Sequence, residues 1–105
     1  MASIARALID ERSVPRDEVH YRTRATAADG RSMPVLIVNI SACGLMMRCE
    51  SDHAVGDRLK VALPVIGTIS ATVRWSLGGR TGCELDAMIA LAPYYELLTA
   101  MVKGR

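Results

Sequence analysis

The run Arg58-Leu59-Lys60-Val61-Ala62-Leu63-Pro64-Val65 and, just after it, Ile69-Ser70-Ala71-Thr72-Val73-Arg74-Trp75 together decide the fold class. In the first, Leu59, Val61, Leu63 and Val65 alternate with Arg58, Lys60 and Ala62. In the second, Ile69, Ala71, Val73 and Trp75 share a face opposite Ser70, Thr72 and Arg74. Successive side chains of a strand point to opposite faces, so alternation of this kind predicts strands with one face on a core. Gly67 stands at the turn between them.

Working outward, the same pattern recurs. Val19, Tyr21, Thr23 and Ala25 alternate with His20, Arg22 and Arg24. Ala28-Asp29-Gly30-Arg31 is a hairpin signal, with Asp29 and Gly30 as the two central residues of a tight turn that demands positive φ. Met33 to Ile40 is a nearly continuous apolar strand, expected to be covered on both faces. A turn at Ser41 to Gly44 leads into Leu45–Cys49, where Met46 and Met47 read as one residue out and one in. Ser51 to Asp57 turns the chain into Arg58–Val65, and Gly78 and Gly79 turn it into Thr81–Leu85. Six short strands at close spacing predict a mainly β fold, a six-stranded antiparallel β-barrel. The period then changes. Pro93 suits a helix's first turn, Tyr94, Leu97, Leu98, Met101 and Val102 line one helical face, and Lys103 and Arg105 suit the C-terminal end. This C-terminal α-helix is expected to cap the barrel. At the other end, Ile4, Ala5, Leu8 and Ile9 have helical spacing, and the polar stretch from Glu11 to Glu18 reads as a loop. The expected organisation is a single domain over 1–105: an N-terminal helix and loop over 1–18, a barrel over 19–86 and the helix over 93–103.

Composition bounds the function. At 50% hydrophobic residues and 23% charged, the chain is a folded domain and not a disordered tail. A formal net charge of +2 gives no bulk attraction to nucleic acid or membrane. Poverty in aromatics (no Phe, one Trp, three Tyr) argues against a barrel that binds single-stranded nucleic acid. Cys43, Cys49 and Cys83 lack metal-ligand spacing and a disulfide framework and read as small core residues, while His20 and His53 read as surface residues. The Gly78-Gly79-Arg80-Thr81-Gly82 run lacks the ending of a phosphate loop and reads as a hairpin turn. No signal-peptide or membrane-spanning stretch is present, so a cytoplasmic setting is expected. Without a nucleophile–base arrangement, paired catalytic carboxylates or a metal motif, the expectation is a protein that is not an enzyme and uses no cofactor.

The topology brings two polar segments together. If Asp29 and Gly30 centre the first hairpin, Asn39 faces His20, and the Ser41–Gly44 turn lies beside Arg16 and Asp17. Guanidinium groups, an amide, a hydroxyl and a glycine then converge at one end of the sheet. Taken alone, Arg12 and Arg16 are equally a solvated pair, and Asn39, Ser41 and Gly44 equally ordinary turn chemistry. Trp75 either packs a barrel end or offers a stacking surface.

Arg12-Ser13-Val14-Pro15-Arg16 matches RxxxR, and Asn39-Ile40-Ser41-Ala42-Cys43-Gly44 matches [D/N]xSxxG. The two stand in order on this pattern of strands and helix, with Val73-Arg74-Trp75 and Gly82 following. In these respects the chain resembles the PilZ domains, a bacterial family that binds cyclic di-GMP. The resemblance covers about residues 11 to 102. It implies a second-messenger receptor in which Arg12 and Arg16 fork onto guanine or phosphate, and Asn39 accepts from the guanine Watson–Crick edge. Ser41 would add a hydroxyl contact, Gly44 a close backbone approach, and Trp75 an aromatic surface near the second base. Such a receptor is expected to change its N-terminal surface on binding and to signal to a separate protein of motility, polysaccharide synthesis or regulation. Glu11 and Asp17-Glu18 flank the first motif and stand ready to pair with its arginines. They favour the alternative, a PilZ-like interaction module that no longer binds the ligand.

Overall fold

The computed structural model describes residues 16–103. Six antiparallel strands, β1 (Asp17–Ala27), β2 (Ser32–Ile40), β3 (Gly44–Arg48), β4 (Arg58–Leu63), β5 (Gly67–Leu77) and β6 (Arg80–Leu85), close into a barrel in the order β1-β2-β3-β6-β5-β4. One helix, α1 (Leu91–Lys103), follows. The expected initial helix at Ile4–Ile9 lies outside the described residues.

The alternation seen in the sequence is what closes the barrel. In β4, Leu59, Val61 and Leu63 are buried while Arg58, Lys60 and Ala62 are exposed. Ala71 and Val73 of β5, Thr81 and Cys83 of β6, and Met47 of β3 point into the same core. Met46 is half-buried on the outer face, as its neighbour's burial requires. β2 is covered less evenly than expected: Val35, Ile37 and Ile40 are buried, and Leu36 and Val38 only partly. Fully burying an aliphatic side chain of this size contributes roughly 1.5–3 kcal/mol, so this interior is the main source of stability. α1 closes one end with Tyr94, Leu97 and Met101 buried, and Pro93 sits in its first turn, where no N–H is missed. Val102 was expected on that face but is 53% exposed, because the buried stripe runs through Leu97 and Met101 and carries Val102 round to solvent. The helix begins two residues before Pro93, with the Tyr94 N–H donating to Ala90 O at 2.9 Å.

Further expectations are corrected. The first hairpin has a three-residue loop, Ala28-Asp29-Gly30, closed by Ala27 N–H to Arg31 O at 2.9 Å. Asp29 Oδ1 accepts from the Arg31 N–H at 2.9 Å and Gly30 takes φ +88°. An irregularity between Glu18 and Tyr21 slips the ladder again, so Asn39 faces Glu18 rather than His20. Of the three cysteines only Cys83 is buried; Cys43 and Cys49 are half-buried. His53 is half-buried as well, with its N–H donating to Ser76 Oγ at 2.9 Å. Gly78 and Gly79, at φ +63° and +82°, form the expected two-residue turn between Leu77 and Arg80.

The last correction concerns Val65, read as the last inward residue of its strand. Pro64 has no N–H for the ladder, and the chain leaves β4 at Leu63. The Ile66 N–H donates to Pro64 O at 2.7 Å, a three-residue turn with Val65 at its centre, φ +70° and 58% exposed. A β-branched residue at positive φ is strained by about 1–3 kcal/mol, whereas glycine is free there. Val65→Gly is therefore expected to raise the unfolding free energy by about 1 kcal/mol, after the roughly 0.4–1 kcal/mol that glycine loses in the unfolded chain. Urea denaturation checks it, and a destabilised variant would show that this turn stores no strain.

Candidate functional site

The two sides of the first hairpin end together. Asp17 of β1 pairs with Ile40 of β2, and Arg16, exposed and directly before Asp17, stands at the Ser41 end of that ladder. Arg12 lies outside the described residues. The end of the hairpin is held from above by α1. The Tyr94 hydroxyl donates to Asp17 Oδ2 at 2.7 Å and lies 2.9 Å from Ile40 O, one proton shared between two acceptors. Burial, then the bond to Asp17 and its negative charge, raise the Tyr94 pKa above its ordinary value of 10.0. Asp17, expected to pair with the arginines of the loop, is thus engaged by the helix.

The Ser41–Gly44 turn is rigid for reasons internal to it. Ser41 Oγ accepts from the N–H groups of Cys43 and Gly44, both at 3.2 Å, and the Ser41 N–H donates to Gly44 O at 2.8 Å. The hydroxyl proton has only Gly44 O at 3.5 Å, a weak contact, and Ser41 itself is buried, so its side chain serves the turn. From outside, the N–H groups of Ile89 and Leu85 donate to Ala42 O and Cys43 O at 2.9 and 2.8 Å. Gly44 has an ordinary φ. Its role here is clearance from the barrel itself, since a Cβ would lie 2.7 Å from the Cys83 carbonyl oxygen.

Asn39 precedes this turn on the outer face. It pairs with Glu18 on one side and Met46 on the other. Among the described residues its Oδ1 is shielded from solvent and accepts no hydrogen bond. A shielded amide oxygen without a donor costs about 1–3 kcal/mol, so it is a place where a donor-bearing ligand gains. The row continues across the barrel, Met46 opposite Gly82 and Gly82 opposite Trp75. A bulge between Val73 and Trp75 takes Trp75 out of the inward alternation, and its indole lies over Gly82, 42% exposed. A Cβ on Gly82 would meet Trp75 Nε1 at 2.2 Å. Trp75 is therefore neither core nor barrel-end packing but an aromatic plate on the same outer row as Asn39.

Asn39, the Met46 side chain and the Trp75 indole thus form an open polar-to-aromatic strip, with Arg16 and the rigid turn at one end. It is a face, not a cleft. Two concavities of the surface, of about 320 and 350 Å³, lie elsewhere, one lined by Leu98, Thr99, Val102 and Lys103 and one around Thr26, Gly30 and Arg58. Among the described residues no grouping of His, Cys, Asp and Glu suits a metal ion, and no helix is long and apolar enough to cross a membrane. Sequence reasoning missed Tyr94 as a part of the site. Its place on the apolar helical stripe marked it as core, and only the position of its hydroxyl reveals the bond to the hairpin.

The sequence matches the model of the PilZ domain family over residues 10–102. Among solved structures, the chain is similar to the PilZ domain with c-di-GMP of YcgR from Escherichia coli, with a TM-score of 0.58. The similarity covers 86% of this chain and 88% of that one at 12% sequence identity, and at that identity it is a likeness of fold. No curated protein matches the sequence.

Two measurements probe this geometry. Tyr94→Phe is expected to cost about 1–3 kcal/mol at pH 7, the loss of a hydrogen bond to a charged group. Because the folded-state pKa of Tyr94 is raised, its stabilisation is complete below pH 10 and falls as pH rises beyond it, when the unfolded phenol ionises first. Between about pH 10 and 12 the wild type should lose more stability than Tyr94→Phe; parallel losses would mean that the phenol is not held as described. Gly82→Ala should displace the indole into water and shift the emission of the only Trp to the red. An unchanged spectrum would contradict the stacked position.

Proposed function

The chain belongs to the PilZ domain family, and on that premise we propose that it is a receptor for cyclic di-GMP. The observation that carries the proposal is the convergence on one barrel face of Arg16, the Ser41–Gly44 turn, the unpaired acceptor of Asn39 and the exposed Trp75. Each offers what a guanine nucleotide lacks in water. Guanine's Watson–Crick edge carries N–H donors for Asn39 Oδ1, and its O6 and N7, like its phosphate, suit the fork of a guanidinium. We assign that fork to Arg16 and, by the family motif, to Arg12. A base stacked on Trp75 gains about 1–3 kcal/mol, which any base face can supply. Ser41 and Gly44 keep the turn in shape, and a contact from the buried Ser41 hydroxyl to the ligand rests on the family motif alone. No step in this function breaks a bond; the protein binds.

The output follows from where Arg16 sits. It leads directly into Asp17, which is tied to α1 through Tyr94. Ordering of the Arg12–Arg16 segment round the ligand would alter the surface beside the helix, and a ligand shifts such an equilibrium by its differential affinity for the ordered form. A separate protein of motility, polysaccharide synthesis or regulation would read that surface.

One observation favours a second reading, an interaction module without ligand. Glu18 stands directly opposite Asn39 and is exposed, a carboxylate beside the place where a dianionic ligand would lie. Isothermal titration with cyclic di-GMP separates the two. Saturable binding at micromolar or lower concentration is expected, with Arg16→Ala weakening it about tenfold, within the roughly 1–3 kcal/mol of a bidentate contact. Absence of heat at high ligand concentration would favour the interaction module. A loss below twofold for both Arg12→Ala and Arg16→Ala would mean that binding occurs elsewhere.

A further inference from the structure

Two residues along from Met46 and Gly82, on the same outer face, Arg48 of β3 and Arg80 of β6 are direct cross-strand partners. Both are exposed, while their neighbours Met47 and Thr81 are wholly buried, so both guanidinium groups leave the barrel on the side of Asn39 and Trp75. Like charges directly opposite on adjacent strands destabilise a sheet. Elsewhere on the barrel Arg58 forks onto Asp86, Arg74 holds Glu84 and Arg31 stands 3.9 Å from Asp29, while the exposed Arg22 and Arg24 of β1 have no ion pair among the described residues but are not set opposite another cation. Neither Arg48 nor Arg80 has an ion-pair partner among the described residues. Their cross-strand neighbours on either side, Leu36 and Leu77, are apolar and supply no counter-charge.

Two residues along a strand span about 6.7 Å, and adjacent strands lie about 4.8 Å apart. A ligand resting between Asn39 and Trp75 therefore lies within the reach of both extended arginine side chains. We infer that Arg48 and Arg80 form a second anion-binding point, a pair of forks that holds a phosphodiester of the ligand lying across Met46. This rests on the receptor reading for the identity of the ligand, though not for the presence of the anion site. Two facing cations that repel in the free protein are bridged by a single phosphodiester, whose one negative charge sits between them and offsets their repulsion on binding. The pair also offsets the carboxylate of Glu18 at one end of the row.

The test compares Arg48→Gln, Arg80→Gln and the double variant with Lys60→Gln, which removes one charge from an exposed position on β4. In titrations with cyclic di-GMP, each single arginine variant should weaken binding by about fivefold or more, and Lys60→Gln by less than twofold. Without ligand, each arginine variant should melt about 2 °C higher as the repulsion is relieved. A second arm uses inorganic pyrophosphate as the probe anion and the melting temperature as the readout: a rise in the wild type should vanish in the double variant. Loss of that rise with no cyclic di-GMP binding by the wild type would keep the anion site and discard the receptor. Cyclic di-GMP binding unchanged within twofold in both single variants would keep the receptor and discard the anion site. Equal weakening by Lys60→Gln, or a pyrophosphate effect that persists in the double variant, would also overturn the inference.

Discussion

The site depends on the pairing of Asp17 with Ile40, because that pairing is where three elements meet. β1 arrives there carrying Arg16, β2 leaves there toward the Ser41–Gly44 turn, and α1 reaches down with the Tyr94 hydroxyl to touch both strands at once. The phenol closes the ladder at the point where it would otherwise fray. Burial raises its pKa, and that is the signature of a hydroxyl kept as a donor inside the fold. Without this clamp the turn would keep its shape through Ser41 and through the N–H groups of Leu85 and Ile89, but Arg16 would have no fixed relation to it. Packing of a helix and position of a cation are thus one constraint.

Much of this was legible in the sequence, and what was not has identifiable causes. An apolar run and the turn signals located β2, β3 and β6, and alternation located β1, β4 and β5 because one face of each is buried. It failed at Val65, where the apolar pattern runs on past a proline that the ladder does not accept. The first hairpin was evident from Asp29-Gly30, but the pattern does not count loop residues. An Asp side chain that caps the Arg31 N–H favours three, and a bulge near Glu18 is silent in composition. The two slips together exchanged His20 for Glu18 opposite Asn39, a change from a ring to a carboxylate at the edge of the proposed site. The glycines were located correctly and explained differently. Gly44 and Gly82 are required by neighbours across the sheet, the Cys83 carbonyl and the Trp75 indole, and only register identifies those neighbours.

Register likewise turns a composition into a surface. Arg48 and Arg80 lie 32 positions apart in the chain and carry no motif. Only the β3–β6 pairing sets them face to face, and only the bulge in β5 turns Trp75 outward beside them. Bulges are places where a sheet re-aims a side chain, and this barrel has one next to each of Glu18, Asn39 and Trp75. All three residues belong to the same outer row. A barrel built for stability alone would have little use for irregularities so placed.

Natural sequences agree with their folds at most positions, and the disagreements concentrate where function competes with stability. Here the disagreements are an amide oxygen without a donor, an indole held partly in water and two cations set against each other. Each is unfavourable in the free protein by its own mechanism, desolvation, exposure of apolar surface or Coulomb repulsion, and all three lie on one face. The opposite wall, formed by β4 and its flanks, pairs Arg58 with both Thr72 and Asp86 and keeps its alternation intact. Two penalties stand outside this group, the shielded Nε2 of His53 without a partner and the strained turn at Val65, which has a local cause in the proline that precedes it. A single partner with N–H donors, flat aromatic surface and negative charge would relieve all three penalties on the Asn39 face together. A guanine nucleotide has those three properties in one molecule, which is what supports the proposed reading of this face.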